Sequence, residues 1–67
     1  MLTLGKDFIV IKDYKEIKVL GPKEISICMN EGLYDIVGDH LVMTYYDQYE
    51  IRFVGKFKVI TYEPWLL

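Results

Sequence analysis

The 67-residue sequence has few of the residues that hold very small proteins together by covalent or metal bonds. It contains one cysteine, Cys28, and one histidine, His40. One cysteine cannot form an intrachain disulfide, and one Cys with one His does not supply the four N or S ligands of a structural zinc site. A domain of this length buries only about 60% of its unfolded surface. Self-association is a common further source of stability for such chains, so we expect a homo-oligomer.

The sequence also lacks a strong net charge, a long apolar run and the features expected of a leader peptide. Lys and Arg total 8 against 10 Asp and Glu, which gives a formal net charge of −2. Such a chain attracts neither nucleic acid nor acidic lipid through its overall charge. No stretch of about 20 apolar residues is present, and MLTLGKDFIV has neither the basic start nor the cleavage site of a signal peptide. We expect a soluble, cytoplasmic protein that binds no nucleic acid.

Sequence patterns typical of β-strands occur throughout the chain, whereas no segment carries apolar residues at helical spacing. Val, Ile, Tyr, Phe and Thr dominate, and apolar and polar residues alternate with period two. Asn30-Glu31-Gly32 has the composition of a three-residue hairpin loop with its glycine in the left-handed region. We therefore predict one all-β domain, residues 1–67, with strands at 7–12, 16–20, 24–29, 33–37, 40–46, 49–54 and 56–63.

Glycines recur at a fixed interval at the ends of similar strands. IKVLG, YDIVG and IRFVG end at Gly21, Gly38 and Gly55, which are 17 residues apart in both cases. Glycine suits a corner where a strand bends, and we expect positive φ at Gly38. Three such corners predict an antiparallel meander of bent hairpins that forms a small sandwich or partial barrel. The alternative is a short β-solenoid with one coil per 17 residues.

The residues that could perform catalysis are few. Asp39 and His40 adjoin Gly38, but no serine or second cysteine accompanies them, and Cys28 lies in an alternating strand without a local Lys or Arg to lower its pKa. The carboxylates Asp35, Asp39, Asp47 and Glu50 are scattered along strand faces and turns. We predict no catalytic residue, no bound metal and no cofactor, and therefore no enzyme.

Aromatic residues are the candidates for a contact surface. Tyr45, Tyr46 and Tyr49 cluster at one predicted hairpin, and Tyr62 and Trp65 lie near the C-terminus. Tyr and Trp commonly anchor protein interfaces, which favours a protein-binding surface. The alternative is a platform on which single-stranded bases stack. That alternative also requires a basic groove, which the dispersed Lys and Arg residues do not provide.

Three segments together resemble the YabP/YqfC family of sporulation proteins, on its YqfC side: IVIKDYKEI, LGPKEISICMNEGLYDIVGDHLVM and EIRFVGKFKVITYE. The family pattern has a strand with a basic turn (9–15), a Pro-containing turn before an acid (21–24), a β-branched run (25–29) and an E-G hairpin (31–32). An I-x-G corner (36–38), a strand before an acidic turn (41–43) and a final glycine corner (51–57) complete it. The pattern covers residues 9–62 without a gap, while Asp35 and Trp65 depart from it.

The resemblance implies a cytoplasmic protein of an endospore-forming bacterium, made in the mother cell and needed for spore development or coat assembly. It implies no catalytic residue. Proteins similar to YqfC resemble soluble partners of a membrane protein at the forespore envelope. Family members generally carry an N-terminal extension before the first strand, whereas this sequence begins almost at its core. The function expected from this resemblance is a self-associating β module in envelope or coat assembly.

Overall fold

The computed structural model describes residues 1–66, which form six β-strands and no helix. The strands are β1 (Leu2–Leu4), β2 (Phe8–Lys12), β3 (Glu16–Leu20), β4 (Glu24–Cys28), β5 (Gly32–Tyr46) and β6 (Glu50–Pro64). All neighbours are antiparallel, in the order β1-β2-β6-β5-β4-β3. The predicted all-β meander of hairpins is confirmed. Antiparallel neighbours exclude the solenoid, whose coils stack in parallel. Four predicted strands merge into the long β5 and β6, and β1 was not predicted.

Both long strands are bent. A strand of 15 residues spans roughly 50 Å when straight, since each residue adds about 3.3 Å. The longest dimension of the molecule is only 34 Å. The pairing of β5 with β6 shifts register at Val37/Gly38 and again between Asp39 and Val42, which locates the bend. The bend divides the single sheet into two layers.

The core lies between these two layers. The first layer contains β1, β2, residues 50–54 of β6 and 42–46 of β5, and the second contains β3, β4, residues 32–37 of β5 and 59–64 of β6. Period-two alternation turns the isoleucines of β2, β4, β5 and β6 inward. Seven side chains from both layers are fully buried in one cluster: Ile9, Ile11, Ile51, Phe53, Ile25, Ile27 and Ile36. A flat sheet could not bury them, so the layers face each other.

The bend depends on two glycines for different reasons. Gly55 has a φ of 144°, and His40, which lies across from it, has a φ of 54°. The expectation of positive φ at Gly38 is wrong, because Gly55 is the glycine with that conformation among residues 1–66. Gly38 is required for space instead, since a Cβ there would lie 2.1 Å from the carbonyl oxygen of Lys56. The irregular pairing also turns Leu41 into the core, where it is 5% exposed.

Gly21, the first glycine of the 17-residue repeat, is not a corner. Gly21 lies in the tight β3–β4 turn, where its N–H donates to the Glu24 carbonyl (2.9 Å), and a Cβ would meet nothing closer than 3.6 Å. The same turn docks on the bend, because the Pro22 and Lys23 carbonyls accept hydrogen bonds from Leu41 and Gly38 (2.9 and 3.0 Å). The prediction of a corner at Gly21 is therefore wrong. Its tight turn instead supports the bend from outside.

Gly32 also has a role that differs from the prediction. It is a buried residue at the start of β5 and is not in the left-handed region. A Cβ at this position would lie 2.5 Å from the Glu63 carbonyl oxygen. Glycine is needed there because β5 and β6 approach closely.

Candidate functional site

One carboxylate organises the tip of the β5–β6 hairpin. Asp47 Oδ1 accepts hydrogen bonds from the backbone N–H groups of Tyr49 and Glu50, both at 2.8 Å, and Oδ2 accepts one from the Tyr45 hydroxyl at 2.6 Å. Aspartate is favoured at such turns because it bonds to backbone groups two and three residues ahead. The Tyr45 hydroxyl and then the two N–H groups hold the pKa of Asp47 below its usual value. The same carboxylate raises the pKa of Tyr45.

The predicted tyrosines of the tip point to different sides of the sheet. Tyr45 pairs with Arg52 on the outer face, and the Arg52 guanidinium lies over its ring at 4.8 Å from the centroid. Arg52 also forms an ion pair with Glu50. Tyr46 pairs with the buried Ile51, and residues directly opposite each other share a face, so Tyr46 is on the inner face. The tip therefore does not present Tyr45 and Tyr46 as one flat aromatic platform.

Tyr14, which was not among the predicted site residues, supports the inner side of the tip. Its ring lies 6.4 Å from that of Tyr46, and its hydroxyl donates to the Asp47 carbonyl at 2.6 Å. Burial, followed by the proximity of Tyr46, raises the pKa of Tyr14. Tyr46 itself remains 59% exposed, so the tip keeps an accessible aromatic surface.

The other predicted aromatic residues belong to a second group. The Tyr62 and Tyr34 rings are neighbours on paired strands, with centroids 4.9 Å apart. Trp65 holds the C-terminal segment against the β4–β5 turn through two hydrogen bonds. Its indole N–H donates to the Met29 carbonyl (3.1 Å), and its backbone N–H donates to the Glu31 carbonyl (2.9 Å). Half of the Trp65 side chain is still exposed. A groove of about 310 Å³ opens beside this group, lined by Met1, Asp13, Met29, Asn30, Glu31, Tyr34 and Tyr62.

The short link between β2 and β3, residues 13–15, brings the two aromatic groups to the same end of the molecule. The Asp13 N–H donates to the Tyr49 carbonyl (2.7 Å), and the Lys15 N–H donates to that of Cys28 (2.8 Å). Asp13 has a φ of 59° and also lines the groove beside Tyr62. All five predicted contact residues thus lie near one end of the molecule.

An apolar row lies on the outer face of the first layer and was not predicted from the sequence. Phe8 pairs with Val54, and Val54 pairs with Val42, so three apolar side chains follow one another across β2, β6 and β5. They are 42%, 39% and 55% exposed. We call these three residues the outer row. The sequence indicates this row by apolar residues at outward-facing strand positions, where the alternating pattern predicts polar ones.

Two carboxyl groups lie close together on the outer face of the second layer. The Asp35 carboxylate accepts a hydrogen bond from the Ser26 hydroxyl at 2.7 Å. Asp35, through a shared hydrogen bond and its charge, raises the pKa of Glu24. The sequence predicts carboxylates that are scattered along strand faces and turns, and this pair was not predicted. Glu24 is exposed, so the pair lacks the apolar pocket that acid–base catalysis by carboxyl groups requires.

The residues considered for catalysis do not form a group. Cys28 is 7% exposed within β4, whereas His40 is exposed at the bend. Asp39 pairs with Lys58 at 2.8 Å, and that lysine lowers the pKa of Asp39. Within residues 1–66, no three His, Cys, Asp or Glu side chains are placed to hold a metal ion together. That part of the chain also contains no helix able to cross a membrane.

Comparison of the chain with protein-family models, with curated proteins and with solved structures gave no match.

Proposed function

We propose that this chain is a non-catalytic β module that associates with itself and docks onto a protein partner during spore envelope or coat assembly in the mother cell. The outer row is the observation that carries the docking function. Its three exposed apolar side chains span three neighbouring strands, and contiguous apolar surface on a small protein is typical of interaction sites. The sporulation role itself is supported by the sequence resemblance over residues 9–62.

The arrangement of the tyrosines gives less support to single-stranded nucleic-acid binding. Tyr45 and Tyr46 lie on opposite faces, and the acidic residues Asp47 and Glu50 adjoin them. A phosphate backbone would be repelled by these carboxylates. A labelled oligonucleotide is therefore expected to remain unbound at low salt. Salt-sensitive binding would instead favour the nucleic-acid function.

A fluorescent fusion followed through engulfment in a sporulating host tests the proposed role. Signal that gathers around the forespore is the expected result, and diffuse signal in vegetative cells alone would contradict it. The double variant Val42→Thr/Val54→Thr polarises the outer row without adding volume and should disperse the signal. The matched control is Val19→Thr/Val37→Thr, which changes two exposed valines of the second layer and should leave the location unchanged.

A further inference from the structure

We propose that the groove beside Tyr34 and Tyr62 binds an arginine side chain of the protein partner, with the guanidinium stacked on the aromatic rings and paired with the carboxylates of Asp13 and Glu31. This inference rests on the docking in the proposed function and names the chemistry that the partner supplies at a second place. None of the outer-row residues lines the groove, so the two surfaces can be tested separately.

The aromatic wall of the groove is an uncovered part of the inner face of the sheet. Tyr34 pairs with Ile27 on β4 and with Tyr62 on β6, and Ile27 is fully buried in the core. Residues directly opposite each other share a face, so both tyrosines lie on the side of the core. Tyr62 is nevertheless 43% exposed, whereas Ile25 and Ile36 on the same face are fully buried. The space between the layers is therefore open at this end, and its wall is aromatic.

Two carboxylates from different connections line the same groove. Asp13 belongs to the link between β2 and β3, and Glu31 belongs to the β4–β5 turn. The backbone N–H of Asp13 donates to the Tyr49 carbonyl (2.7 Å), and the Glu31 carbonyl accepts the backbone N–H of Trp65 (2.9 Å). Both acidic residues are thus held by backbone hydrogen bonds, and their side chains are exposed beside the tyrosines.

The charge of the groove favours a cation. Its charged lining groups are the two carboxylates of Asp13 and Glu31 and the amino group of Met1, which donates to the Lys12 carbonyl at 2.8 Å. Within residues 1–66, neither carboxylate forms an ion pair with an amino, guanidinium or imidazole group. Two negative charges therefore face one positive charge, and both carboxylates keep oxygen atoms available to a cationic ligand.

A guanidinium fits this combination of groups better than an ammonium does. It is planar, it stacks on aromatic rings, and its N–H groups form a fixed fork that matches a carboxylate. The tip of the β5–β6 hairpin contains the same combination within the chain. There the Arg52 guanidinium lies over the Tyr45 ring at 4.8 Å from its centroid and pairs with the Glu50 carboxylate.

The size and the remaining lining of the groove suit a single side chain. Its volume of about 310 Å³ is at the lower end of the range for ligand sites, about 300–1,000 Å³. The flexible thioether of Met29 can pack against the methylene stem of an arginine, and the Asn30 amide can bond to the adjoining peptide backbone. An arginine within a partner segment therefore matches the aromatic, acidic and amide groups together.

NMR titration of the ¹⁵N-labelled chain with short peptides tests the site. The probe is N-acetyl-Gly-Arg-Gly-amide at low salt, because salt screens exposed ion pairs. We expect saturable shifts of amide signals confined to residues 13, 29–31, 34 and 62. The matched peptide with citrulline, which keeps the planar shape without the charge, should cause no saturable shift. The lysine peptide, which lacks the planar fork, should bind more weakly than the arginine peptide.

The double variant Asp13→Asn/Glu31→Gln tests the carboxylates. It removes both charges with little change in size, and asparagine tolerates the left-handed φ of 59° at residue 13. We expect the Kd of the arginine peptide to rise by about fivefold or more, as expected for the loss of two exposed ion pairs. The matched control is Asp7→Asn/Glu24→Gln, which removes two exposed carboxylates that do not line the groove and should leave the Kd unchanged.

The outcomes separate this inference from the proposed function. The groove is overturned as an arginine site if the arginine peptide causes no saturable shift, if citrulline or lysine binds equally well, or if both double variants weaken binding equally. The proposed function still stands in that case if the fluorescent fusion gathers around the forespore. Diffuse fusion signal with intact peptide binding overturns the docking role and leaves the arginine site standing. The comparison of the three peptides uses the unmodified chain and so decides the matter even if a variant does not fold.

Discussion

The bend and the tip of the β5–β6 hairpin are held in different ways. At the bend, backbone is packed against backbone: Gly38 faces the Lys56 carbonyl, and two carbonyl oxygens of the β3–β4 turn accept hydrogen bonds from N–H groups of β5. At the tip, the Asp47 carboxylate holds the turn, and the tyrosines around it remain exposed. The bend has no space for another atom, whereas the tip has solvent on most sides. The fold therefore depends on the bend, whereas substitutions at the tip should be tolerated better.

Gly38→Ala should have the largest effect. The added Cβ would collide with a backbone oxygen that cannot rotate away, so β5 and β6 would have to separate. We expect this to cost more than the about 1–3 kcal/mol of ordinary overpacking and more than the about 2–5 kcal/mol of a cavity left by a core leucine. The core of a domain this small contributes only about 3–5 kcal/mol to the free energy of unfolding, so we expect the variant to lose its cooperative thermal transition. Circular dichroism recorded during heating measures this transition. Gly21→Ala is the control, because a Cβ there would make only an ordinary van der Waals contact at 3.6 Å, and a large loss at Gly21 would contradict the distinction between turn and bend.

Leu41→Ala should destabilise the bend by the next largest amount. Leu41 is 5% exposed within the core cluster, and the loss of a buried leucine side chain costs about 2–5 kcal/mol. Urea denaturation should show a lower midpoint. Val42→Ala, one residue later and 55% exposed, serves as the control with a much smaller change. Equal midpoints for both variants would contradict the burial of Leu41.

Asp47→Asn should have a smaller effect that depends on pH. Asparagine keeps an acceptor for the N–H groups of the turn but removes the charge. The lowered pKa of Asp47 means that its charged form stabilises the fold above the unfolded pKa near 3.9. That contribution is lost as pH falls through the lower folded pKa. Melting temperatures between pH 7 and pH 2 should therefore fall more steeply for the wild type than for the variant, and parallel curves would contradict this.

Glu24→Gln should give the smallest change and should stabilise the protein at neutral pH. Glu24 closes the turn that docks on the bend, and Asp35 raises its pKa. A raised carboxyl pKa means that ionisation of Glu24 opposes folding, so the penalty is present above the folded pKa and disappears at lower pH. The melting temperature of the variant should exceed that of the wild type at pH 7 and match it near pH 3. A lower value at pH 7 would show that Glu24 is favourable.

The alternating pattern was sufficient to locate most strands, because burial of one face imposes period two. It could not separate a bend from a turn, since Gly21 and Gly38 end nearly identical strands. The distinguishing signal is the residue that follows: Pro22 cannot donate to a ladder, whereas Asp39 continues the strand. The tyrosine pairs could not be predicted from the alternating pattern, for another reason. Tyr14 meets Tyr46, and Tyr34 meets Tyr62, only through strand pairings between distant parts of the chain.

The pairing of β2 with the first part of β6 has a consequence for synthesis and folding. The β3–β4, β4–β5 and β5–β6 hairpins join neighbours in sequence, but β2 at residues 8–12 must wait for residues 50–54. Closing so long a loop is slow, because its entropy must be lost before any contact is gained. β1 and β2 are therefore synthesised first but join the rest of the sheet last. Until then Ile9 and Ile11 are exposed, so a chain interrupted before residue 50 would be prone to aggregate.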